Sequence, residues 1–350
     1  MVEPLSQHEY QVRIEPQARI LRVPATQTLL DAALAAGLNL PHSCKSGHCG
    51  SCRARLLRGE TVYTGAAPLG ITQEEARAGH ILLCQAYARS DLTVEARFIA
   101  AVADVEIKTL PCRIAQLRPL SADVIQVLLR LPAVERLRFH AGQYLDVLLE
   151  GGRRRSFSIA SPPHDSELLE LHVRRVAGGG FTDQLFGAAA TLRAGSLLRI
   201  EGPLGQFSYR DGSGPVLMIA GGTGFAPLKS MLRHVLENGL ARPLHLYWGA
   251  RHAPDLYEER QVLEWAGRFP QLRFSAVLSQ AGAGEAAHTR VGWVHEAVLE
   301  DHANLSAFEV YAAGPPAMIE AIRSTFPQHG LAPARLYFDS FDYAPDDRRR

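Results

Sequence analysis

The spacing of hydrophobic positions changes character twice along the chain, dividing it into three stretches. Residues 9 to 23, within YQVRIEPQARILRVP, alternate as a strand pair, and TLLDAALAAGL (28 to 38) has the apolar face of a helix stopped by Gly37. CRARLLRGETVY reads as strand, turn and short strand, and TQEEARAGHILLCQ as a short helix and a strand carrying Cys84. DLTVEARF closes this unit near residue 98. From about 107 to 208 the pattern is short and β-rich: PCRIAQLRPL, VIQVLLRL, YLDVLLE, RSFSIAS, LLELHVRRV and SLLRIEGP are predicted strands, and FTDQLFGAAA a helix. Such a run suits an antiparallel barrel. After GSGP the chain alternates hydrophobic strands with helical stretches: VLMIAGGTGFAPLKSMLRHVLENG, PLHLYWGAR, LRFSAVLS, AFEVYAAGPPAMIEAIRSTFPQHG and RLYFDSF. That alternation predicts a parallel α/β sheet. The fold class is therefore multidomain, with boundaries at 1–98, 106–209 and 214–343.

Composition narrows the function classes. A formal charge of +1 over 350 residues gives no overall field for nucleic acid or an anionic membrane. No apolar run approaches a transmembrane span, and the first residues, MVEPLSQHEYQVRIEPQ, lack the order of a secretory signal. Five cysteines in a chain this long fit poorly with a disulfide framework. The expected compartment is a reducing cytoplasm, and the charged tail DDRRR is expected to fray.

Four of those cysteines carry the first candidate chemistry. Cys44, Cys49 and Cys52 have the spacing C-x4-C-x2-C, and Cys84 follows at a distance. Thiolates are soft ligands, and this spacing is the plant-type [2Fe–2S] arrangement rather than the paired knuckles of structural zinc. Gly47 and Gly50 allow tight turns around inorganic sulfur. A zinc-stapled loop and buried free thiols are the alternatives. The stretch LPHSCKSGHCGSCRARLLRGE resembles the cluster loop of plant-type ferredoxins, which implies a β-grasp fold. Cys112 falls outside the pattern and is expected to be a buried thiol; His42 and His48 are expected at the surface.

The middle stretch carries RRRSFSIAS, which resembles the R-x-[YF]-[ST] signature of ferredoxin–NADP reductase-type flavin domains. Arg155 offers a fork for a cofactor phosphate, Phe157 an aromatic face, and Ser158 a hydroxyl for the flavin N5 region. In LHVRRVAGGGFTDQL, Gly179, Gly180, Phe181 and Thr182 can present amides and a helix start to a pyrophosphate. The resemblance also implies that the strand from His172 to Arg174 runs along the cofactor, that EGPLGQF (201 to 207) closes the barrel, and that the flavin is FAD rather than FMN.

In the third stretch, Gly221, Gly222 and Gly224 permit close approach of a pyrophosphate, Thr223 adds a hydroxyl, and Pro227 sits in the first helical turn. The run is not the G-x-G-x-x-G fingerprint; it resembles the G-G-T-G-x-[AT]-P motif of the same reductases. YAAGPPAMI resembles their second nicotinamide-side motif, implying roles for Gly314, Pro315 and Met318, with Ala313 where most members have cysteine. The family likeness makes Phe341 the candidate aromatic cover of the flavin, with Asp339 its polar companion; a core-packed final strand is the alternative. Arg251 is followed by Asp255 without a basic partner, which favours NADH over NADPH.

Together the motifs resemble a ferredoxin–NADP reductase-type flavoprotein fused to an N-terminal [2Fe–2S] ferredoxin, as in phenol hydroxylase and other aromatic oxygenase reductase components and in CDP-6-deoxy-Δ3,4-glucoseen reductase. This implies an NADH-dependent iron–sulfur flavoprotein oxidoreductase in which FAD converts a hydride into single electrons for the cluster. Ser158, Thr223 and Phe341 are the candidate catalytic contacts. The expected partner is a terminal oxygenase or hydroxylase component, a deoxysugar dehydratase, or another electron-accepting protein. Lys45, Arg53, Arg55 and Arg58 make the cluster loop basic and suit an acidic partner surface. A flavin reductase with an auxiliary N-terminal domain and a redox sensor of low turnover are the other readings.

Overall fold

The structure, a computed structural model, describes residues 8–341 except 39, 43, 44, 46, 48, 49, 66, 69, 97–104, 166, 177, 188, 189 and 283–288. Cys44, Cys49, His48 and the charged tail therefore lie outside the described residues. The chain divides into two compact units, 1–107 with 204–206 and 108–203 with 207–350.

The first unit contains β1 (Glu9–Glu15), β2 (Arg19–Pro24), α1 (Leu29–Ala35), β3 (Arg53–Arg58), β4 (Thr61–Tyr63), α2 (Gln73–Arg77), β5 (His80–Leu82), β6 (Ala86–Ala88) and β7 (Leu92–Glu95). Five strands form a mixed sheet in the order β2-β1-β7-β3-β5, and β4 pairs with β6 as a separate ribbon. Only β1 and β7 run parallel among the pairings described within the five-stranded sheet. Alternation in β1 buries Val12 and Ile14 against Leu30 and Ala33 of α1. Thr28 caps α1 by accepting from the Asp31 amide at 3.1 Å, and Thr72 with Glu75 forms a capping box on α2. Cys84 does not ride on a strand as the pattern predicts. The chain leaves the sheet after Leu82, whose carbonyl accepts from the Gln85 amide at 3.0 Å, so Cys84 sits inside that turn.

In the second unit, β8 (Lys108–Pro119), β9 (Val124–Arg130), β10 (Tyr144–Leu148), β11 (Arg154–Ser158), β12 (Leu169–Arg174) and β13 (Leu197–Leu204) form one sheet in the order β11-β10-β13-β8-β9-β12. A bridge between Ile159 and Leu171 brings its two edges together, closing the antiparallel barrel around Ile114, Leu129, Leu145 and Ile159. The predicted helix FTDQLFGAAA shrinks to a 3₁₀ turn, Thr182–Gln184. The Gln184 carbonyl accepts from the amides of Thr191 and Leu192, and Gly187 takes φ 78°, so the chain folds back instead of propagating a helix. EGPLGQF is likewise not all turn, since β13 runs through Leu204.

The rest of this unit contains β14 (Val216–Gly221), α3 (Phe225–Glu237), β15 (Leu244–Ala250), α4 (Glu259–Arg268), β16 (Leu272–Leu278), β17 (Arg290–Val291), α5 (Val294–Asp301), β18 (Glu309–Gly314), α6 (Pro316–Thr325) and β19 (Leu336–Ser340). The sheet is parallel, in the order β17-β16-β15-β14-β18-β19. Every residue of β14 is buried, because helices cover both of its faces. Strand order reverses at β14, which makes the carboxyl ends of β14 and β18 the place where such a sheet opens a crevice for a ligand.

One half-buried histidine makes this sheet acid-sensitive. His245 stacks on Tyr247 with ring centroids 4.0 Å apart, and its Nε2 lies 2.9 Å from Ser275 Oγ. Burial, with the neighbouring His302, lowers its imidazole to about 4. The unfolded chain titrates it near 6.5, so between these values unfolding takes up a proton and stability falls as pH falls. Thermal unfolding should show the midpoint dropping from pH 7 to pH 5, with His245→Gln flattening that slope; identical slopes would show that the acid sensitivity arises elsewhere.

Candidate functional site

The cysteine region begins where β3 leaves the loop. Cys52 and Cys84 are both buried, and the Leu83 amide donates to the Cys52 carbonyl at 3.1 Å, tying the two segments together. Lys45, Gly47 and Gly50 take φ of 52°, 80° and 71°, so the loop repeatedly enters the left-handed region and curls back on itself. A Cβ on Gly47 would lie 2.8 Å from Gln85 Cγ. Paired buried thiols beside a curled loop fit a cluster ligated by cysteine. Two further residues emerge here that sequence reasoning missed. The Gln85 amide donates to the carbonyls of Lys45 at 3.1 Å and Cys84 at 2.8 Å, and Tyr63 takes the Leu82 amide on its hydroxyl at 3.1 Å. Burial, with added repulsion from Cys52 and Cys84, raises the Tyr63 phenol. Neither belongs to the cysteine spacing, so neither had a signal.

Two expectations at this loop change. His42 is buried rather than exposed, its Nδ1 donating to the Leu40 carbonyl at 2.6 Å. Arg53 pairs with Glu75, whereas Arg55 and Arg58 are exposed and Lys45 is half-buried. Cys112 is buried as expected, and burial pushes its thiol up to about 12, leaving it uncharged and inert.

On the barrel, period-two alternation puts Arg155 and Phe157 on one face of β11 and Ser158 on the other. Phe157 approaches Phe181 with centroids 5.5 Å apart. Thr182 Oγ1 donates to the Val176 carbonyl at 3.1 Å, and a Cβ on Gly179 would lie 2.6 Å from that oxygen. The tight turn leaves Gly180 exposed next to Phe181, the ring partner of Phe157, an arrangement that fits a cofactor phosphate. His172, on the strand expected to run along the cofactor, has a wholly buried side chain whose ring nitrogens face Glu170 and Tyr257. Arg174 reaches from β12 to the glycine loop, its Nη1 2.9 Å from where a Gly222 Cβ would sit, and it pairs with Asp123 at 3.3 Å.

The two glycine motifs meet at the crevice. A Cβ on Gly221 would lie 2.6 Å from Pro315 Cδ and 2.8 Å from Met318 Sδ, and one on Gly314 would lie 2.9 Å from Gly221 Cα. At Gly224 the same atom would stand 1.9 Å from the Ala313 carbonyl oxygen. Thr223 is half-buried at the mouth, and Pro227 is buried in the first turn of α3. Trp248 donates its indole N–H to the Gly222 carbonyl at 3.0 Å and stacks on Phe225 at 4.0 Å. Phe341 lies just past β19, its amide donating to the Gly314 carbonyl at 2.8 Å. Tyr337 and Phe338 pack within the sheet edge beside Arg210 and Arg323, and Asp339 is buried, so among the described residues Phe341 is the terminal aromatic tied to the loop.

Behind the loop lies a buried ion cluster absent from the sequence reading. Lys229 of α3 places Nζ 2.9 Å from Glu170 Oε1 and 2.8 Å from both carboxylate oxygens of Glu258; His172 Nε2 is 2.8 Å from Glu170. Gln126 donates to Glu170 at 2.6 Å. Burial alone would raise the Glu170 carboxyl, but His172 and Lys229 outweigh it and hold it well below the usual range. Removing one partner of such a buried pair costs about 3–5 kcal/mol. Lys229 sits one turn after the glycine motif on a helix with an apolar face, where an isolated lysine reads as solvated.

Comparison with known families decides the matter. The 2Fe-2S iron-sulfur cluster binding domain matches residues 12–89, the oxidoreductase FAD-binding domain 111–209, and the oxidoreductase NAD-binding domain 218–324. The CDP-6-deoxy-L-threo-D-glycero-4-hexulose-3-dehydrase reductase of Yersinia pestis is 38% identical over 94% of this chain and 98% of its own. The chain belongs to the iron–sulfur flavoprotein reductases. A terephthalate 1,2-dioxygenase reductase component of Comamonas is 34% identical over 91% of this chain and 93% of its own. Among solved structures, the cytochrome P450 reductase of Amycolatopsis superposes with TM-score 0.78 at 35% identity, covering 95% of this chain and 98% of that one. This reductase is an NAD(P)H-dependent oxidoreductase that uses FAD and a [2Fe–2S] cluster for electron transfer.

The backbone contact at Gly224 makes a sharp prediction for the reductase. Gly224→Ala forces Cβ into the Ala313 carbonyl, a clash that overpacking costs of about 1–3 kcal/mol understate. Calorimetry should find NAD⁺ binding weakened by at least about tenfold; wild-type affinity would mean that the two loops part freely.

Proposed function

We propose that this reductase draws a hydride from NADH and delivers single electrons through its N-terminal cluster to a separate acceptor protein. The observation that carries this reading is the meeting of the two glycine loops at the strand-order switch point, with Arg174 of the barrel against one and Phe341 tied to the other. Within it, Gly221, Gly222, Gly224, Gly314, Pro315 and Met318 shape the nicotinamide crevice, with Thr223 at its mouth. Pro227 starts the helix behind them. Arg155 and the turn Gly179–Thr182 hold the flavin phosphates, Phe157 and Phe341 flank the ring, and Ser158 is poised toward its N5 edge. His172 and Arg174 belong to the strand that runs along the flavin. Cys44, Cys49, Cys52 and Cys84 ligate the iron. A bound flavin would supply the conversion of one hydride's two electrons into two single-electron transfers, which a [2Fe–2S] cluster needs. The protein's own share is orientation and exclusion of water. We place the functional domains at 1–98, 106–209 and 214–343, and the compartment in the cytoplasm; no helix among the described residues is long and apolar enough to cross a membrane.

NADH is favoured over NADPH because Arg251 is already engaged. Its Nε lies 3.3 Å from Asp255, and Asp123, which also pairs with Arg174, lies 4.0 Å from its Nη2. A 2′-phosphate would meet that acidic pair. The acceptor is of the class served by its relatives, an oxygenase or hydroxylase component or a deoxysugar dehydrase, and the basic rim of Lys45, Arg55 and Arg58 suits an acidic docking face.

One comparison tests the route and the coenzyme together. Cys84→Ser should lose the iron–sulfur absorption and reduce cytochrome c at least about 100-fold more slowly, while NADH-driven ferricyanide reduction by the flavin stays within about twofold. NADH should exceed NADPH in kcat/KM by at least about tenfold in both proteins. Undiminished cytochrome c reduction by the variant would contradict the route through the cluster, and equal use of both coenzymes would contradict the role of Asp255.

A further inference from the structure

The acid pair behind the glycine loop already has its cation. Glu170, His172 and Glu258 converge closely enough to suggest a metal site, but Lys229 Nζ occupies their centre at 2.8–2.9 Å from both carboxylates. What sets this lysine apart is the identity of the elements it joins. Glu170 stands on β12, the flavin strand, two residues from His172 and four from Arg174, so all three share one face. Glu258 immediately precedes α4, after β15 has delivered Trp248 to the glycine loop. Lys229 itself lies five residues beyond Gly224 on the helix that the loop opens. One ammonium therefore fastens the flavin strand, the glycine-loop helix and the head of α4 to a single point.

A cluster serving stability alone is replaceable, because well-packed apolar groups do as well or better than a buried ion pair. Charges set at short distance instead specify one geometry, and hydride transfer depends on geometry to fractions of an ångström. The loop is gripped on its other sides by the Trp248 indole at the Gly222 carbonyl and by Arg174 against Gly222. Lys229 supplies the remaining constraint, the distance between loop helix and flavin strand.

We propose that Lys229 is a positioning residue for nicotinamide, clamping Glu170 to Glu258 and so fixing the depth at which the glycine loop presents the dinucleotide to the flavin. This rests on the function proposed above, and the wild-type protein tests that function separately, since it must bleach its flavin with NADH in the first place. In the full-length, cofactor-loaded protein, Lys229→Met/Glu170→Gln removes one cation and one anion together, while Lys229→Arg keeps the charge and moves it. Stopped-flow bleaching at saturating NADH should slow by at least about tenfold in the double variant, with a larger isotope effect from NADH deuterated at the transferred position. NAD⁺ affinity should stay within about threefold, and amide exchange across residues 221–225 should quicken even without nucleotide. Lys229→Arg should fall between the two, and it decides by the same rate and isotope criteria where the double variant does not retain flavin. Wild-type bleaching rates and isotope effects in the variant that retains flavin, whatever its melting temperature, would overturn the proposal and leave the cluster a structural support.

Discussion

At the carboxyl ends of β14 and β18 backbone lies directly against backbone, and much of the second unit follows from that approach. A single methyl at Gly224 would enter the Ala313 carbonyl, and one at Gly221 would strike Pro315 and Met318. Strands carrying such loops must be central, buried on both faces and parallel, because only then do two adjacent strand ends point the same way. The all-buried sequence of β14 and the small residues Ala312 and Ala313 of β18 satisfy that demand. Ala313 contributes through its carbonyl, and its methyl is fully buried in the hydrophobic cluster with Met218, Phe225 and Trp248.

Apart from Thr223 the glycine loop has no side chains with which to hold itself, so its position is set by what surrounds it. Trp248, Phe225 and Arg174 act from the sheet and the barrel, and the Lys229 cluster acts from behind. Burying four ionisable groups is expensive, and here each carboxylate meets an ammonium, with an imidazole or glutamine amide satisfying Glu170 further. The aromatic shell around them, Tyr257 against Trp248 at 5.1 Å and against His172 at 5.3 Å, excludes water and strengthens every interaction inside.

Chemistry written into short spacings was legible from sequence. The cysteine run, GGTGFAP and YAAGPPAM each fit within a single loop, and the switch from two-residue alternation to α/β texture marked where barrel gives way to parallel sheet. Features assembled from separate elements were not legible. Glu170 and His172 occupy positions that alternation assigns to a solvated strand face, yet that face meets α3. Lys229 and Glu258 lie far along the chain, so no local pattern joins them. The helix expected over FTDQLFGAAA had adequate propensity but lost to the closing turn that Gln184 makes with Thr191 and Leu192. The turn that carries Cys84 was read as strand.

A hydride delivers two electrons and a [2Fe–2S] cluster takes one, so the order of the three cofactor regions has meaning only if electrons flow through all of them. Anaerobic titration of the loaded protein with NADH, followed by visible absorption and electron paramagnetic resonance, tests that flow directly. Full reduction should need about 1.5 NADH per chain, two electrons for the flavin and one for the cluster, and should produce the rhombic signal of a reduced cluster. A flavin that bleaches at about one NADH per chain with no cluster signal would contradict the account, and would leave the N-terminal unit outside the electron path.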